Sequence, residues 1–487
     1  MSSEAVGPTD PAVARAEGLR RRSGHVSSYT LDARRTQIDL GGPVVSTWAY
    51  GDTVPGPLIR ANPGDELRIH VNNSLPADTS VHWHGLAIDN TMDGVPPVTQ
   101  KAIPAGSGML YHYVVPDPGT YWYHPHVALQ LDRGLYGPLI VDDPSDAGTY
   151  DVEFVVVLDD WVDGVKGQTP ETVNAELRSG KSMGSGMSMR SGMSMWSGMS
   201  GAGMSGAGMG STSPTSPLGA EASDYTYPYY LINGKIPTAP VTLAAKPGQR
   251  ARIRIINSAA GTGFKVALGG HRMTVTHTDG YPVNPVTVDT LVLGMGERYD
   301  VTVTLGDGAF PFTAVPLGAT GQAMAVVRTG AGETPDPSVL PAQLNGELLP
   351  VDLSTLAATP AVHTPLWRPD VIHDLLLTGT MGSGYSWAIN GKTYPNGAQL
   401  AVRQGQRTRL RFTNRSTMFH PMHLHGHTFQ VRATADSAGP RKDTVNVLSM
   451  HTTAVDFVAD NPGQWVLHCH NLYHQEGGMM TVLSYRT

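Results

Sequence analysis

The stretch PGDELRIHVNNS, residues 63–74, decides the fold, because related stretches occur twice more in the chain. PGQRARIRIINS spans residues 247–258, and QGQRTRLRFTNRS spans residues 404–416. Each copy has a glycine, an arginine four residues later and an asparagine nine residues later, and successive glycines are 184 and 157 residues apart. Short Val, Ile and Thr runs bounded by turn residues are typical of β-strands. The repeat therefore predicts three related β-domains in tandem.

The composition agrees with an all-β protein and excludes several functional classes. The 487 residues include 56 glycines and 37 prolines, and helical periodicity is scarce, as in β-sandwiches or barrels. A net charge of −7, with 15% charged residues, argues against a nucleic-acid partner. The one cysteine excludes an intramolecular disulfide and zinc sites that need several cysteines. No apolar run is long enough to span a bilayer.

Histidine pairs follow two of the three repeats at the same distance. His82 and His84 come nine and eleven residues after Asn73, and His423 and His425 have the same offsets from Asn414. The second copy has aliphatic residues there, Val266 and Leu268. We therefore expect the middle domain to be a spacer without such a site.

A second pair of histidines occurs in each terminal domain. His124 and His126 lie five and seven residues after Gly119, and His468 and His470 have the same offsets from Gly463. Residues i and i+2 of a strand project from one face, so each pair presents two imidazoles side by side. Eight neutral imidazoles between two domains can hold about three metal ions, and such ligands suit copper, zinc, iron or nickel.

The stretch HCHNLYHQEGGMM, residues 468–480, contains the single cysteine. If His468 and His470 face one way, Cys469 faces the other. His420, His474 and Met479 are candidates to join it, since two histidines, a thiolate and a weak axial methionine form a blue-copper electron-transfer site. A buried small hydrophobe or a nucleophile would leave the flanking histidines unexplained.

The sequence resembles a three-domain multicopper oxidase of the bacterial laccase-like and copper-efflux oxidase type. HWHG, HPH, HPMHLHGH and HCHNLYHQEGGM match the four copper-binding motifs of that family in order. The resemblance covers roughly residues 30–487. It implies three cupredoxin-like Greek-key domains, four copper ions, and O2 reduction to water driven by four one-electron oxidations.

The resemblance also implies roles for individual residues. The type 1 copper would be held by His420, Cys469 and His474, with Met479 axial. The type 2 copper would take His82 and His423, and the two type 3 coppers would take the remaining histidines: His84, His124 and His470 on one ion, and His126, His425 and His468 on the other. Cys469 with its neighbours His468 and His470 would carry the electrons, and Asp93 would supply protons. Many bacterial members have an acid where this chain has Gln475, which leaves the role of Glu476 open.

The expected organisation is a flexible tail at 1–28 and domains at 29–147, 148–350 and 351–487. The second domain contains a Gly/Ser/Met insert at 182–210. Thioether ligands select Cu(I), so the insert favours a cuprous oxidase. It predicts extra Cu(I) sites at six methionines: Met183, Met187, Met189, Met193, Met195 and Met199.

Several substrate classes stay open from the sequence. The oxidase could act on Cu(I) and Fe(II), or on phenols and aromatic amines with the insert as a passive spacer. A copper-sequestering protein is an alternative from another class. We expect a monomer without a membrane span, located outside the cytoplasm, although no export signal is visible in the N-terminal residues.

Overall fold

The computed structural model describes residues 4–146, 148–180, 216–219, 221–365, 368–381, 384–432 and 438–487. Within these ranges the strands form six sheets, which follow one another along the chain as three pairs. The predicted all-β architecture is confirmed. The Met-rich insert at 182–210, with its six candidate Cu(I) ligands, lies outside the described residues.

The first pair consists of two four-stranded sheets whose inward side chains share one core. In spatial order, one sheet contains Val44–Tyr50, Val26–Asp39, Glu66–Ser74 and Gly108–Val114. The other contains Ile59–Ala61, Gly137–Val141, Gly119–His124 and His82–His84. The first two histidine pairs therefore lie on or beside neighbouring strands of one sheet.

The second and third pairs each combine a six-stranded with a five-stranded sheet. The second pair has Tyr229–Ile232, Val152–Trp161, Arg250–Asn257, Arg298–Thr304, Met273–Thr278 and Tyr281–Val288, then Thr242–Ala244, Ala323–Arg328, Ala309–Pro316, Phe264–Leu268 and Leu291–Leu293. The third has Ser386–Ile389, Val371–Thr380, Arg407–Asn414, Thr452–Val458, Phe429–Arg432 and Ala438–Lys442, then Leu400–Val402, Met480–Tyr485, Gln464–Cys469, His420–Leu424 and Thr444–Val447.

The sequence repeat occupies one structural position in all three pairs. Glu66–Ser74, Arg250–Asn257 and Arg407–Asn414 are each third in their sheet, and each pairs in parallel with an earlier long strand. Val266 and Leu268 are fully buried in the apolar core, where the terminal domains have histidines. The repeat thus marks equivalent elements, and the middle copy has core packing at these positions.

The repeated asparagine has the same hydrogen bonds in every copy. Asn257 donates from Nδ2 to the carbonyls of Thr262 and Leu293, at 3.0 and 3.1 Å, and its Oδ1 accepts from the Ala259 amide. Asn73 and Asn414 also donate to two carbonyls and accept from the amide two residues on. The side chain ties the end of the repeat strand to the segment that leads to the next strand, which explains its fixed offset.

Helices are short and few in the described ranges. The α-helices are α1 (Pro11–Gly18), α2 (Pro170–Ser179) and α3 (Leu472–Glu476), with 3-10 turns at Asn90–Met92, Gln130–Asp132, Pro144–Asp146 and Ala342–Asn345. None of the helices described is long and apolar enough to cross a bilayer.

Within the segment 1–28, which the sequence predicts to be a flexible tail, the described residues include a short helix and a bond to the last strand. Asp10 caps helix α1 by accepting from the Ala12 amide, and Val13 is buried. The Val6 amide donates to the Tyr485 carbonyl at 2.9 Å, which ties this segment to the last strand. One helix cap and one buried apolar side chain are weak signals in a sequence. The bond of Val6 to the last strand has no local sequence signal at all.

Replacing Asn257 by alanine should destabilise the protein. The change leaves two buried carbonyls and one amide without their partner, which should cost about 3 kcal/mol in the free energy of unfolding. Asn72→Ala is the matched control, because this exposed neighbour of Asn73 only bonds to Asp32 at the surface; it should cost less than about 0.5 kcal/mol. Urea unfolding measures both values, and equal losses would contradict the role of the repeat.

Candidate metal centre

Strand alternation separates the single cysteine from its two histidine neighbours. Cys469 ends the strand Gln464–Cys469, and it lies opposite Met422 on the strand His420–Leu424, while His468 lies opposite His423. Because side chains alternate along a strand, His420 shares the face of Met422 and Cys469. The expected division of the segment into two faces is therefore present.

The cysteine face brings three ligand atoms together. Cys469 Sγ lies 3.6 Å from His420 Nδ1 and 3.5 Å from His474 Nδ1, and the two nitrogens are 3.0 Å apart. The side chain of Asn471 caps helix α3 and so holds His474 in place. Met479 is fully buried, and its carbonyl accepts from the Cys469 amide at 3.0 Å.

Outer contacts orient both imidazoles of this group. Ser416 Oγ lies 2.7 Å from His420 Nε2 and donates its own proton toward Asn414 or Met418, so it accepts from the imidazole. His474 Nε2 lies 3.0 Å from the carboxylate of Asp224. The His420 ring thus directs Nε2–H outward and leaves its Nδ1 lone pair toward the thiol, and Nδ1 of His474 faces the same thiol.

The other eight histidines form one buried group between the first and third sheet pairs. His82 stacks on His425 with ring centroids 3.7 Å apart, and His84 stacks on His423 at 3.8 Å. Each stack joins the first histidine of one repeat to the second histidine of the other. His124, His126, His468 and His470 complete the group, with ring contacts to these four.

Most of these imidazoles donate Nδ1–H outward to an oxygen. The acceptors are the Asp93 carbonyl for His82, at 2.8 Å, the Asp443 carbonyl for His423, at 2.9 Å, and the Asp93 carboxylate for His425, at 3.1 Å. His124 and His468 donate to the carbonyl of the residue that follows each of them. These bonds select one tautomer and point Nε2 inward.

Asp93 reaches this position because a glycine follows it. A Cβ on Gly94 would lie 1.8 Å from the Val81 carbonyl oxygen, and the glycine has a φ of +79°. Only glycine permits this close approach. The turn thereby brings both the carbonyl and the carboxylate of Asp93 against site histidines.

The inward nitrogens fit metal ions. The Nε2 atoms of His425 and His468 are 3.0 Å apart, although both rings donate from Nδ1, so two lone pairs face each other. A cation between them removes that repulsion. Within the described residues, Nε2 of His82, His124 and His423 is buried without a hydrogen-bond partner. Buried polar atoms are rarely left unpaired, so ligand atoms are the natural interpretation.

Several groups of three side chains in the site have their ligand atoms within 4.8 Å of one another. His126, His425 and His468 form one, as the resemblance implied for a type 3 ion, and His420, Cys469 and His474 form another. The subset expected around His84 differs: His84 and His124 group with His82, while His470 Nε2 lies 3.2 Å from His84 Nδ1.

Burial favours the neutral form of most of these imidazoles and the protonated form of the thiol. Desolvation lowers the pKa well below its ordinary value for seven of the ten: His84, His124, His126, His420, His425, His468 and His470. Desolvation also raises the pKa of the Cys469 thiol, so a thiolate here requires a cation beside it. Neutral imidazole is the form that binds metals.

Three buried charged residues at the site were not identified from the sequence. Asp443 accepts from His84 Nε2 at 3.2 Å, Arg298 of the second sheet pair donates to Asp443, and Asp224 faces His474. The only sequence signal is a Lys-Asp pair, 442–443, inside a stretch that otherwise alternates like a strand. Asp224 has no comparable signal.

Comparisons with known proteins agree with this geometry. Three family profiles, each described as multicopper oxidase, match residues 32–146, 213–332 and 368–487. The multicopper oxidase MmcO of Mycobacterium tuberculosis is 50% identical over 99% of this chain and 92% of its own length. A copper resistance protein A homologue of Pseudomonas syringae pv. tomato is 28% identical over 93% and 91% of the two chains. The crystal structure of Fet3p, a multicopper oxidase that functions in iron import, matches 95% of this chain and 90% of its own, with TM-score 0.77 and 21% identity, which supports the fold.

The metal-free protein should lose stability as the pH falls below the ordinary histidine pKa of about 6.5. The unfolded chain takes up protons there, whereas the buried imidazoles, whose pKa values are lowered, do not. Proton uptake by the unfolded state alone favours unfolding, so the stability present above about pH 6.5 is lost between that pH and the lowered values. Thermal unfolding across this range measures the effect, and a constant midpoint would contradict it.

Proposed function

The chain belongs to the multicopper oxidase family, and on that premise we propose that it oxidises Cu(I), passes the electrons to O2, and contributes to copper tolerance. One observation carries the oxidase assignment. Cys469 belongs to the thiol and imidazole group, and its two chain neighbours, His468 and His470, belong to the eight-histidine group. Electron transfer from one group to the other is favoured by a short covalent connection, and residues 468–470 provide that connection.

Four copper ions are proposed, held as the family motifs suggest. His420, Cys469, His474 and Met479 would hold the type 1 ion, and the eight remaining histidines would hold one type 2 and two type 3 ions. Copper bound at these positions supplies one-electron chemistry, in which four single-electron oxidations of substrate and four protons reduce one O2 to two waters. The facing lone pairs and unpartnered Nε2 atoms support this set.

The chain positions the ligands and excludes water. Every one of the ten histidines is at most 8% exposed, and Cys469 is fully buried. The outer oxygens of Ser416, Asp93 and Asp443 hold the tautomers of His420, His82 and His423. Ligands fixed in this way need little rearrangement when charge changes at the site.

Asp93 is proposed to hold and deliver protons for O2 reduction. Its carboxylate lies 3.1 Å from His425 Nδ1 and 3.2 Å from His82 Nδ1, so it contacts both halves of the eight-histidine group. A carboxylate can accept and return a proton at an oxygen without moving its backbone. The turn at Gly94 fixes that backbone.

The residues that flank the Met-rich segment favour Cu(I) as the substrate, because they lie close to the Cys469 group. Helix α2 ends at Ser179, and Arg178 donates to the Glu476 carbonyl at 2.9 Å, two residues beyond His474. After residue 215, Leu218 is fully buried in a cluster with Phe419, the neighbour of His420. The described residues on both sides of segment 181–215 therefore lie beside the Cys469 group.

The names of relatives support two substrate classes. Copper resistance protein A of Escherichia coli is 26% identical over 93% of this chain, and laccase-4 of Trametes villosa is 28% identical over 88%. Thioethers select Cu(I), so the composition of the insert favours the first class, with the six methionines between 183 and 199 as extra Cu(I) ligands. Oxidation of exported Cu(I) by O2 suits a monomer outside the cytoplasm, and phenol or aromatic amine oxidation is the second candidate.

Oxygen uptake by the copper-loaded chain tests both parts of the proposal. The full chain should consume O2 with Cu(I) and with a phenol. Deleting residues 182–210 should lower the turnover on Cu(I) by about tenfold, if the insert supplies bound substrate at the type 1 site, and should leave or raise the turnover on the phenol.

The matched control replaces the methionines of the insert by leucine and keeps its length. This variant should behave like the deletion with Cu(I), since only the thioethers are lost. Unchanged Cu(I) turnover in both variants would contradict a cuprous role for the insert. No O2 uptake by the full chain with either substrate would contradict the oxidase itself.

A further inference from the structure

His84 is oriented differently from most histidines of the eight-membered group. Five of these imidazoles, His82, His124, His423, His425 and His468, donate outward from Nδ1. His84 instead directs Nε2 outward to Asp443 Oδ1, at 3.2 Å, and its Nδ1 lies 3.2 Å from His470 Nε2. Something outside the histidine pair must therefore choose the ring nitrogen of His84.

Asp443 is held by an arginine of the sheet pair that has no site histidines. Arg298 Nη1 donates to Asp443 Oδ1 at 2.8 Å, and Nη2 donates to Oδ2 at 2.6 Å. Both side chains are fully buried. A bidentate pair of this kind fixes the plane of the carboxylate as well as its position.

The same arginine also contacts the first sheet pair. Arg298 Nε donates to the Thr120 carbonyl at 2.9 Å, four residues before His124, and Nη1 donates to the Gly296 carbonyl at 3.1 Å. One guanidinium thus joins all three sheet pairs beside the histidine group. Asp279, also of the second pair, accepts from the amides of Asp443 and Thr444 and fixes that strand.

The glycine of the HWHG motif makes room for this ion pair. A Cβ on Gly85 would lie 2.4 Å from Arg298 Nη2 and 2.6 Å from Asp443 Oδ2. Gly85 also has a φ of +89°. The residue that follows His84 must therefore be glycine, because the Arg298–Asp443 ion pair lies against it. This contact links the HWHG motif of the first domain to an arginine of the second.

We propose that Arg298 is a positioning residue of the oxygen-reducing site: by clamping Asp443, it fixes His84 with Nε2–H outward and Nδ1 as the metal ligand. Buried ion pairs contribute little net stability, because desolvation offsets their attraction, so stability alone does not explain the pair. The clamp also occupies both Asp443 oxygens, which leaves Asp443 as an outer partner of His84. The middle domain is then part of the site.

This inference rests on the proposed function for the role of His84 as a ligand, and Arg298→Lys tests it. Lysine keeps the charge but cannot make the bidentate contact. Loss of an outer partner typically weakens metal binding by about 10- to 100-fold, so we expect that loss of copper affinity at the eight-histidine group. The blue absorption of the Cys469 group should stay, since Arg298 has no contact there.

Arg254→Lys is the matched control. Arg254 is also fully buried in the second sheet pair; it contacts the first pair through Thr120 and its own pair through Glu153 and Asp300, without touching Asp443. It should keep the copper content of the unchanged chain. An equal copper loss in both variants would make Arg298 a general interdomain contact and would overturn the proposal.

The tautomer of His84 distinguishes the two roles of Arg298. If Arg298 only stabilised the fold, its replacement would not change that tautomer. Ring-nitrogen NMR signals are recorded on the histidine-15N-labelled full chain before and after Cu(I) addition. Nε2–H should be found in the unchanged chain and in Arg254→Lys, and it should be lost or mixed with Nδ1–H in Arg298→Lys. If that variant does not fold, Arg298→Gln replaces it, with retained blue absorption as the test of folding.

The outcomes are distinguishable. Identical His84 signals and identical copper content in the Arg298 variant and the unchanged chain would overturn the inference alone. A chain that binds no copper would contradict the proposed function, whereas the spectra recorded before Cu(I) addition would still decide whether Arg298 fixes the tautomer.

Discussion

The alternation of side chains along the strand Gln464–Cys469 is the constraint on which both metal groups depend. A strand puts successive residues on opposite faces, so Cys469 can serve one group while His468 and His470 serve another. The register with His420–Leu424 extends the division to the next strand, where His420 joins the cysteine and His423 joins the histidines. Two groups with different chemistry are therefore linked by single covalent steps. A helix or loop would not keep the three side chains so regularly apart.

The repeated domain supplies the second requirement, which is symmetry between the two halves of the histidine group. His82 stacks on His425 and His84 stacks on His423, so the first histidine of each repeat lies on the second histidine of the other copy. Duplication gives two pairs of imidazoles that face each other across an interface. The outer oxygens then break that symmetry, because Asp93 orients His425 while Asp443 turns His84 the other way. Ligand identity follows from the repeat, and ligand orientation follows from the partners behind each ring.

Much of this arrangement could be predicted from the sequence, and the reason is spacing. Offsets of nine and eleven residues from a repeated asparagine are local, since the same hydrogen bonds hold the asparagine in every copy. The partners of the ligands are different. Arg298 and Asp443 are 145 residues apart, and nothing in either local pattern shows that they meet. The N-terminal segment was also harder to predict, because the bond that ties it to the last strand, from the Val6 amide to the Tyr485 carbonyl, joins residues far apart in the sequence.

Cys469 is proposed to be both a ligand of one group and the covalent link to the other, and Cys469→Ser tests this most directly. Absorption spectra, copper content and O2 uptake would be measured on the copper-loaded variant and the unchanged chain. The variant should lose the blue absorption and the oxidation of both substrates, while about three of four copper ions remain, because eight imidazoles can hold about that number. Retention of blue absorption, or loss of all copper together, would contradict the account.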